Sequence, residues 1–387
     1  MDVGLKGSVD VEDHKDLKKL NVLYLNEIET IDASVFLQST LNSFPSLKTL
    51  DLTENNFNRT VIVRDLHNLT NLEELKLGKS KLHISFLQNV ATISSLKHLS
   101  MIDCEFNGFS HDQGPIVFKN LESLIMDYVT LDNSFSKIFT PITSLKQLSL
   151  SGCRLNDTLY DQGVCEMVHL QKLYIDSNNL WGTLPSCLAN LTSLQQLYIS
   201  SNQIMGNISL SPLKDLTSLK VLHISNNLFQ IPISLNSFFN LSNLKDFESE
   251  NNQLYVETMS DSLIPKFQLN FITLSGYGNV GAYPKFLYHQ HDLQNVYLSH
   301  INLGGNFPYW LLYSNTQLQT LHLVNNSLSG TFQMSFEANL NLTTLDVSFN
   351  FFHGQILKDI GAKLPNLMSL NMSRNGFNGS LPSSLVI

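Results

Sequence analysis

Histidine is the residue type in this chain whose spacing first suggests metal chemistry. His289 and His291 form an HxH pattern, and His300 follows them closely. Imidazole nitrogens are common zinc ligands, but a zinc site needs three or four ligands at defined spacing. The HxH pattern has no further ligand at such a spacing. We therefore predict neither a metal site nor a bound cofactor.

Catalytic motifs and a basic surface are both missing from the sequence. It contains no GxSxG, no HExxH, no P-loop and no glycine-rich nucleotide motif. Its carboxylates are scattered rather than paired, so we predict that the protein is not an enzyme. The net charge of −9 argues against nucleic-acid binding, because a nucleic-acid partner requires a surface rich in lysine and arginine.

The elements that position these side chains come from an internal repeat. One copy of an LxxLxLxxN pattern runs from Leu47 to Asn55, and the chain holds 67 leucines and 40 asparagines. After a first step of 30 residues, successive copies follow at 24 or 25 residues. We predict an array of about 15 repeats over residues 17–387, preceded by an edge segment at residues 1–16. The second apolar residues of the copies are Leu20, Leu50, Leu75, Leu99, Leu124, Leu148, Leu173, Leu197, Leu222, Phe247, Ile272, Val296, Leu321, Leu345 and Leu370.

The repeat predicts a stack of coils. Side chains alternate between the faces of a strand, so the two leucines of LxL point inward and the residue between them points outward. One coil cannot bury its leucines alone, but stacked coils form a continuous core and a parallel sheet. The asparagine can satisfy backbone groups that would otherwise be buried without a hydrogen-bond partner.

Some copies lack the asparagine. Ser80, Cys104 and Cys153 are small and polar enough to replace it, whereas Val129, Tyr277 and Ile301 are not. We therefore expect local irregularity at the last three positions. A small insertion or a distorted coil is also expected between residues 27 and 44, where the first step is long.

The cysteines divide into two pairs. Cys104 and Cys153 lie two coils apart, too far for a disulfide, and we predict buried structural thiols. Cys165 and Cys187 lie on the loops of adjacent coils, where a disulfide is geometrically feasible.

A ligand would meet rigidly held side chains at the residues between the two strand leucines. We call this surface the strand face and predict that it is concave. Tyrosine and histidine combine apolar area with a polar end and are favoured at interfaces, although tyrosine also suits solvated strands. The candidate ligand-binding residues are Tyr174, Tyr198, His223, Glu248, Tyr297 and His322.

Ten N-x-[ST] sequences mark candidate glycosylation sites. Asn68, Asn190 and Asn240 each lie four residues before the first repeat leucine, on the outer flank where a glycan has room. A glycan on Asn325 would instead lie beside the strand face. The full set is Asn58, Asn68, Asn156, Asn190, Asn207, Asn240, Asn325, Asn341, Asn371 and Asn378.

The second half of each repeat carries a family resemblance. It reads LWGTLP at 180–185 and FNGSLP at 377–382, where the glycine allows a tight turn and an extended segment follows. This LxGxIP-like pattern resembles the plant-type leucine-rich repeats of cell-surface receptors. Residues 342–357 and 367–382 resemble the ectodomains of plant receptor-like proteins and the related receptor kinases. The resemblance implies an α/β leucine-rich-repeat solenoid with a parallel concave β-sheet and repeats of 24–25 residues.

The family's full layout includes a signal peptide, cysteine-paired caps and a membrane helix. None is visible between Met1 and Ile387, so we expect a truncated ectodomain whose array is open at its C-terminus. The resemblance implies a plasma-membrane protein that senses a peptide, glycan or protein ligand on the extracellular face. It would signal through a membrane receptor kinase or co-receptor, with defence slightly favoured over development.

Two other functions are open at this point. One is a soluble extracellular inhibitor of microbial cell-wall hydrolases, although such inhibitors are shorter arrays with both caps. The other is the repeat region of an intracellular immune receptor, against which the GxIP-like flank and the phased sequons argue.

Overall fold

A computed structural model describes most of the chain. The described residues are 19–27, 44–58, 69–108, 116–131, 138–139, 142–257, 264–332 and 340–385. Within the full chain, two compact units are distinguished, Met1–Trp181 and Gly182–Ile387. The predicted edge segment 1–16 lies outside the described residues, and one continuous array over residues 17–387 stays a prediction.

The first unit contains a parallel sheet of short strands that follow one another in chain order. Leu50 of one strand pairs with Leu75 of the next, so equivalent residues lie side by side. The strands of this sheet are β1 (Val22–Tyr24), β2 (Thr49–Asp51), β4 (Glu74–Lys76), β6 (His98–Ser100), β8 (Ser123–Ile125), β9 (Gln147–Ser149) and β10 (Lys172–Tyr174). A second parallel sheet, a helix and a 3-10 helix lie between these strands in sequence; they are β3 (Asn56–Phe57), β5 (Lys81–His83), β7 (Glu105–Asn107), α1 (Ile84–Val90) and Val164–Glu166.

The second unit repeats this architecture, and β11 (Trp181–Thr183) includes its first residues. Its main parallel strands are β12 (Gln196–Tyr198), β14 (Val221–His223), β16 (Asp246–Tyr255), β17 (Phe271–Tyr277), β18 (Asn295–Tyr297), β20 (Thr320–His322), β22 (Thr344–Asp346) and β24 (Ser369–Asn371). The flank strands are β13 (Gln203–Asn207), β15 (Leu228–Pro232), β19 (Gly304–Gly305), β21 (Ser327–Thr331), β23 (Phe351–Gln355) and β25 (Gly376–Asn378). The helices are α2 (Tyr309–Ser314) and α3 (Ile360–Lys363), with 3-10 helices at Ser186–Asn190, Ile208–Leu210, Pro212–Asp215, Asn236–Phe238, Lys285–His289 and Ser383–Leu385.

The core of each unit is built from the repeat leucines, as predicted. Leu50 is 1% exposed and Leu222 is completely buried, whereas the residues on either side of each are partly exposed. The flank glycines also behave as predicted, since Gly206 and Gly330 have φ angles of 117° and 92° that favour glycine. The predicted leucine-rich-repeat fold is therefore confirmed.

The asparagine of the repeat bonds to the backbone of neighbouring coils. Nδ2 of Asn227 donates to the carbonyl oxygens of Ile199 at 2.9 Å and Ile224 at 3.2 Å, and its Oδ1 accepts the N–H of Ile204 at 3.0 Å. We call this row the buried asparagine ladder. Its other members that donate side-chain hydrogen bonds to backbone carbonyls are Asn55, Asn178, Asn202, Asn252, Asn326, Asn350 and Asn375.

The cysteines that replace asparagine in this ladder also donate hydrogen bonds to backbone carbonyl oxygens of the preceding coil. The thiol of Cys104 donates to Leu77 O at 2.9 Å, and that of Cys153 donates to Met126 O at 3.0 Å. Both are free and buried, which confirms the prediction of structural thiols. Burial raises the pKa of the Cys104 thiol to about 11 and that of Cys153 to about 12.

A left-handed residue stands before nearly every ladder position, where the chain leaves the strand. Asn226 has φ of 54° and Asp103 has φ of 57°. Tyr128, which precedes Val129, has φ of 60°, so the turn there is of the usual kind. The prediction of an irregular turn at Val129 is therefore wrong, because the turn conformation depends on the backbone of the preceding residue, Tyr128.

The irregularity expected at Tyr277 is confirmed. Strands β16 and β17 continue past the usual turn and pair with a register shift between Ser249 and Asn252. Gly276 pairs with Asn252, and a Cβ atom at Gly276 would lie 2.3 Å from the Asn252 carbonyl oxygen. The close approach of the two strands therefore requires glycine at this position.

The register of the first coil differs from the prediction. Leu23, rather than Leu20, pairs with Leu50 across β1 and β2. The local sequence LKKLNVLYL has leucines that fit two registers, and only one of them aligns the coil's LxL with its neighbour. The insertion expected between residues 27 and 44 falls largely on residues outside the described part.

An exposed second row of asparagines was not predicted. Each member directly precedes the first repeat leucine and donates its side-chain N–H to a backbone carbonyl of the preceding coil, at 2.6–2.9 Å. The signal was present in the sequence as a recurring Asn-Leu pair. The members are Asn71, Asn120, Asn243, Asn341 and Asn366.

Candidate functional site

The strand face has the register that the sequence predicted. In the second unit, Tyr198 pairs with His223, His223 with Glu248, and Tyr297 with His322. Thr273 of β17 lies between Glu248 and Tyr297. Five of the six candidate ligand-binding residues therefore lie in one row of neighbouring strands.

The sixth candidate, Tyr174, belongs to the first unit. It lies beside Ser149 in the pairing of β10 with β9. The side chain is half-buried, and this burial raises the pKa of its phenol.

Other residues of the strand face serve the fold. Oδ1 of Asp51 accepts the N–H of Thr53 at 3.0 Å, and Oδ1 of Asp346 accepts the N–H of Ser348 at 2.9 Å. Asn371 donates to the other carboxylate oxygen of Asp346 at 2.9 Å. These side chains cap the turn at the strand end, as Asp and Asn commonly do.

His223 is the centre of a compact polar and aromatic cluster. Its ring packs edge-on against Tyr198, with 4.5 Å between centroids. Nε2 lies 3.1 Å from Oδ1 of Asp246, and Nδ1 lies 3.3 Å from Oε2 of Glu248. A neutral imidazole can donate to one of these carboxylates, whereas an imidazolium donates to both. We call Tyr198, His223, Asp246 and Glu248 the His223 cluster.

Asp246 was missed by the sequence reasoning. It immediately precedes the buried Phe247 in β16, just as Glu248 immediately follows it. Because side chains alternate along a strand, the residues on both sides of a buried one share a face. Strand alternation was the signal that could have identified Asp246.

A second aromatic pair lies on the same row. The rings of Tyr297 and His322 are 4.8 Å apart, and Phe271 packs 5.6 Å from Tyr297. Burial lowers the pKa of His322, and the nearby Asp346 carboxylate acts in the opposite direction. The uncharged imidazole is therefore favoured at this position relative to free histidine.

The row in the second unit has an acidic character. Among the described strands β12 to β24, the residues directly before and after each buried main-strand residue include Asp246, Glu248 and Asp346 but no lysine or arginine. Such a surface attracts a cationic group more strongly than an anionic one.

The HxH pattern has a structural explanation. The buried Gln290 between the two histidines accepts the N–H of Leu269 at 2.8 Å, while His289 and His291 are exposed. His300 faces Asn325, whose Nδ2 lies 2.8 Å from its Nδ1. Within the described residues, no group of three or more His, Cys, Asp or Glu side chains is placed to hold a metal ion.

Cys165 and Cys187 are both disulfide-bonded residues. Their pairing with each other stays a prediction.

The candidate glycosylation sites differ in their surroundings. Asn68 lies outside the described residues. Asn207 and Asn371 are half-buried, and their side chains bond to Tyr255 and Asp346. Glycosylation stays a prediction at every position. The exposed candidates are Asn58, Asn156, Asn190, Asn240, Asn325, Asn341 and Asn378.

No helix in the described part of the chain has the length and apolar character needed to cross a bilayer.

Comparison with known proteins supports the repeat assignment. A family model described as Leucine Rich Repeat matches residues 169–191 and 366–386. The chain is 48% identical over 121 residues to Receptor-like protein 13 of Arabidopsis thaliana, and 45% identical over 123 residues to Receptor-like protein 9b of the same plant. These matches cover 31% and 32% of this chain but 11% and 13% of the relatives, so the matched region is a small part of each relative.

A solved structure supports the fold. The plant peptide hormone receptor RGFR1, determined in complex with RGF2, matches 99% of this chain and 63% of its own with a TM-score of 0.63. At 20% identity, this likeness concerns the fold alone. The chain therefore has the leucine-rich-repeat fold, and about a third of it is similar in sequence to plant receptor-like proteins.

Proposed function

We propose that the chain is a ligand-sensing, non-catalytic part of the ectodomain of a plant cell-surface receptor-like protein. The ligand docks on the strand face of the second unit, at the His223 cluster and the neighbouring Tyr297–His322 pair. The observation that carries this proposal is the His223 cluster itself. It gathers aromatic, imidazole and carboxylate groups on a surface that the fold does not require them to occupy.

The cluster suits recognition rather than scaffolding. The fold is held by buried leucines, the buried asparagine ladder and the Asp-based turn caps, none of which uses Tyr198 or His223. Short paired strands hold these side chains in place before a ligand arrives, so that little conformational entropy is lost on binding. Tyrosine is also among the residues that contribute most to binding energy at interfaces.

A peptide is the ligand class that we favour over a glycan or a larger protein. RGFR1, which shares the fold, was solved in complex with RGF2 and is described as a peptide hormone receptor. The carboxylates of Asp246 and Glu248 would pair with a basic side chain or an amino terminus of the peptide. Tyr198 and Tyr297 would contact its apolar parts.

The site of action that we propose is the extracellular face of the plasma membrane. A membrane receptor kinase or co-receptor would relay the signal, because the groups on the strand face offer recognition and no arrangement for phosphoryl transfer. The names of the relatives, which are receptor-like proteins, support this assignment. A role in defence is the more favoured of the two that the family resemblance implies.

Selection from a phage-displayed library of linear peptides tests the ligand site. Peptides selected on the wild-type chain are measured against a variant with Tyr198, His223 and Tyr297 replaced by alanine. Each residue is expected to contribute on the order of 1 kcal/mol or more, so that the affinity of the triple variant falls by about 100-fold or more.

A matched control distinguishes local loss from general damage. Tyr160 and Phe351 are 64% and 66% exposed and lie away from the main strands, so their replacement by alanine should leave peptide binding unchanged. Both variants should retain the wild-type circular dichroism spectrum and melting temperature. Selected peptides that bind the triple variant as tightly as the wild type would contradict the proposed site.

A further inference from the structure

We propose that Asn240 carries an N-linked glycan that lies over an exposed apolar patch on the flank of the second unit. The patch consists of Ile264, Tyr288, Trp310 and Tyr313, and we call it the flank patch. The inference rests on the proposed function in one respect, since N-glycosylation requires passage through the secretory pathway.

The flank patch consists of large apolar side chains that are exposed rather than packed in the core. Ile264, Tyr288 and Tyr313 are 65%, 49% and 61% exposed. The ring of Tyr288 stacks on Trp310 with 4.0 Å between centroids and 27° between planes. Tyr313 follows Trp310 by three residues in α2, and residues at this spacing lie on neighbouring parts of a helix surface.

Backbone and side-chain contacts place one end of the patch, at Ile264, next to Asn240. The N–H of Lys266 donates to the carbonyl oxygen of Phe239 at 2.9 Å, which brings the segment following Ile264 alongside Asn240. In the next coil, Nε2 of Gln268 donates to His289 O at 2.8 Å, directly beside Tyr288. Tyr288 lies two coils from Asn240 along the stack, and because parallel strands are about 4.8 Å apart, this separation is at least roughly 10 Å.

Asn240 itself is an exposed residue in the sequence Asn240-Leu241-Ser242, just after the 3-10 helix Asn236–Phe238. An N-linked glycan is bulky and hydrophilic on its outer side. Its first sugars present C–H groups that can pack on the flat faces of Tyr288 and Trp310. Exposed aromatic surface of this kind otherwise favours association between molecules.

Asn190 provides an internal comparison. It occupies the same repeat position, four residues before Leu194, as Asn240 does before Leu244. In the coil after Asn190, the positions equivalent to Ile264 and Pro265 are Lys214 and Asp215, an exposed ion pair at 3.1 Å. These two positions are therefore charged beside Asn190 and apolar beside Asn240, although the exposed Lys266 follows them in the coil after Asn240.

The experiment uses the whole chain, fused to a cleavable signal peptide and secreted from plant cells, with Trp181 replaced by phenylalanine so that Trp310 is the single tryptophan of the secreted chain. Peptide mass spectrometry measures glycan occupancy at Asn190 and Asn240. Acrylamide quenching of Trp310 fluorescence and binding of the dye ANS are then compared among the parent, N240Q and N190Q. Trimming of the folded parent by an endoglycosidase to one sugar per site provides a measurement without substitution.

We expect occupancy at Asn240, and we expect N240Q to increase both the quenching of Trp310 and the binding of ANS. N190Q should leave both unchanged, and trimming should act as N240Q does. The proposal is overturned if Asn190 is glycosylated and Asn240 is not, or if N240Q and N190Q give equal quenching. Secretion of the chain without any glycan would also refute the proposal. None of these three results concerns peptide binding at the His223 cluster, which tests the proposed function separately.

Discussion

Replacement of Asn227 by alanine removes one member of the buried asparagine ladder. The side chain is 5% exposed, and its amide bonds to the backbone of Ile199, Ile224 and Ile204. Alanine fills little of the vacated space and offers none of these hydrogen bonds. The N–H of Ile204 thus loses its partner, whereas the carbonyl oxygens of Ile199 and Ile224 still accept from the side chains of Asn202 and Asn252.

The size of the effect follows from the unpaired N–H of Ile204 and from the loss of one hydrogen bond to each of the two carbonyl oxygens. A buried polar group left without a partner costs about 1–3 kcal/mol. Water can reach some of the vacated space, so we expect the free energy of unfolding of the second unit to fall by about 2–4 kcal/mol. The matched control is Asn243→Ala, which removes one exposed hydrogen bond, from Nδ2 to Thr217 O at 2.9 Å, and should cost about 0.5–1 kcal/mol.

Urea unfolding followed by circular dichroism measures the difference between the two variants. Hydrogen exchange adds a local test, because the amide of Ile204 donates to Asn227 Oδ1 and should lose protection in Asn227→Ala. In Asn243→Ala the same amide should exchange as in the wild type. If the two variants are equally stable and the Ile204 amide stays protected, the ladder does not hold the coils together and the reasoning is refuted.

Two further predictions concern buried titratable groups. Because burial raises the thiol pKa of Cys104 to about 11 and of Cys153 to about 12, iodoacetamide at neutral pH should alkylate them in urea but not in the folded chain, as read by peptide mass spectrometry. Equal labelling in both states would contradict their burial. Burial lowers the pKa of His322 from its ordinary 6.5, so the unfolded chain binds the proton more tightly and stability should fall as the pH drops below about 6.5. His322→Gln should show a smaller drop in urea midpoint between pH 7 and pH 5, and an unchanged drop would exclude His322 as its source.

Most of the fold could be predicted because every copy of the repeat has to meet the same physical requirements. Each LxL segment must bury two side chains, and each coil must satisfy the backbone where it leaves the strand. Even Cys104 and Cys153 could be assigned, since a small polar group at the ladder position can still donate to the preceding coil.

The wrong predictions concern coils whose own sequence does not determine the strand register or the turn conformation. The leucines of LKKLNVLYL fit two registers, and pairing with Leu50 selects Leu23. At Val129 the side chain suggested irregularity, but the turn is set by the backbone of Tyr128. In both cases the deciding contact lies on another coil or on the main chain, where a side-chain pattern gives no signal.

The strand face shows what a sequence of this kind can and cannot say about function. Alternation along the strands identifies which residues face outward, and it would have found Asp246 as readily as Glu248. It does not separate a carboxylate that caps a turn, such as Asp346, from one that faces a histidine. That separation needs the hydrogen bonds, which assign Asp346 to a turn cap and place the carboxylates of the His223 cluster against an imidazole. The leucine core, the asparagine ladder and the turn caps do not depend on which residues occupy the positions of the His223 cluster. Under the proposed function these residues are selected by the ligand, and the repeat pattern therefore does not predict them.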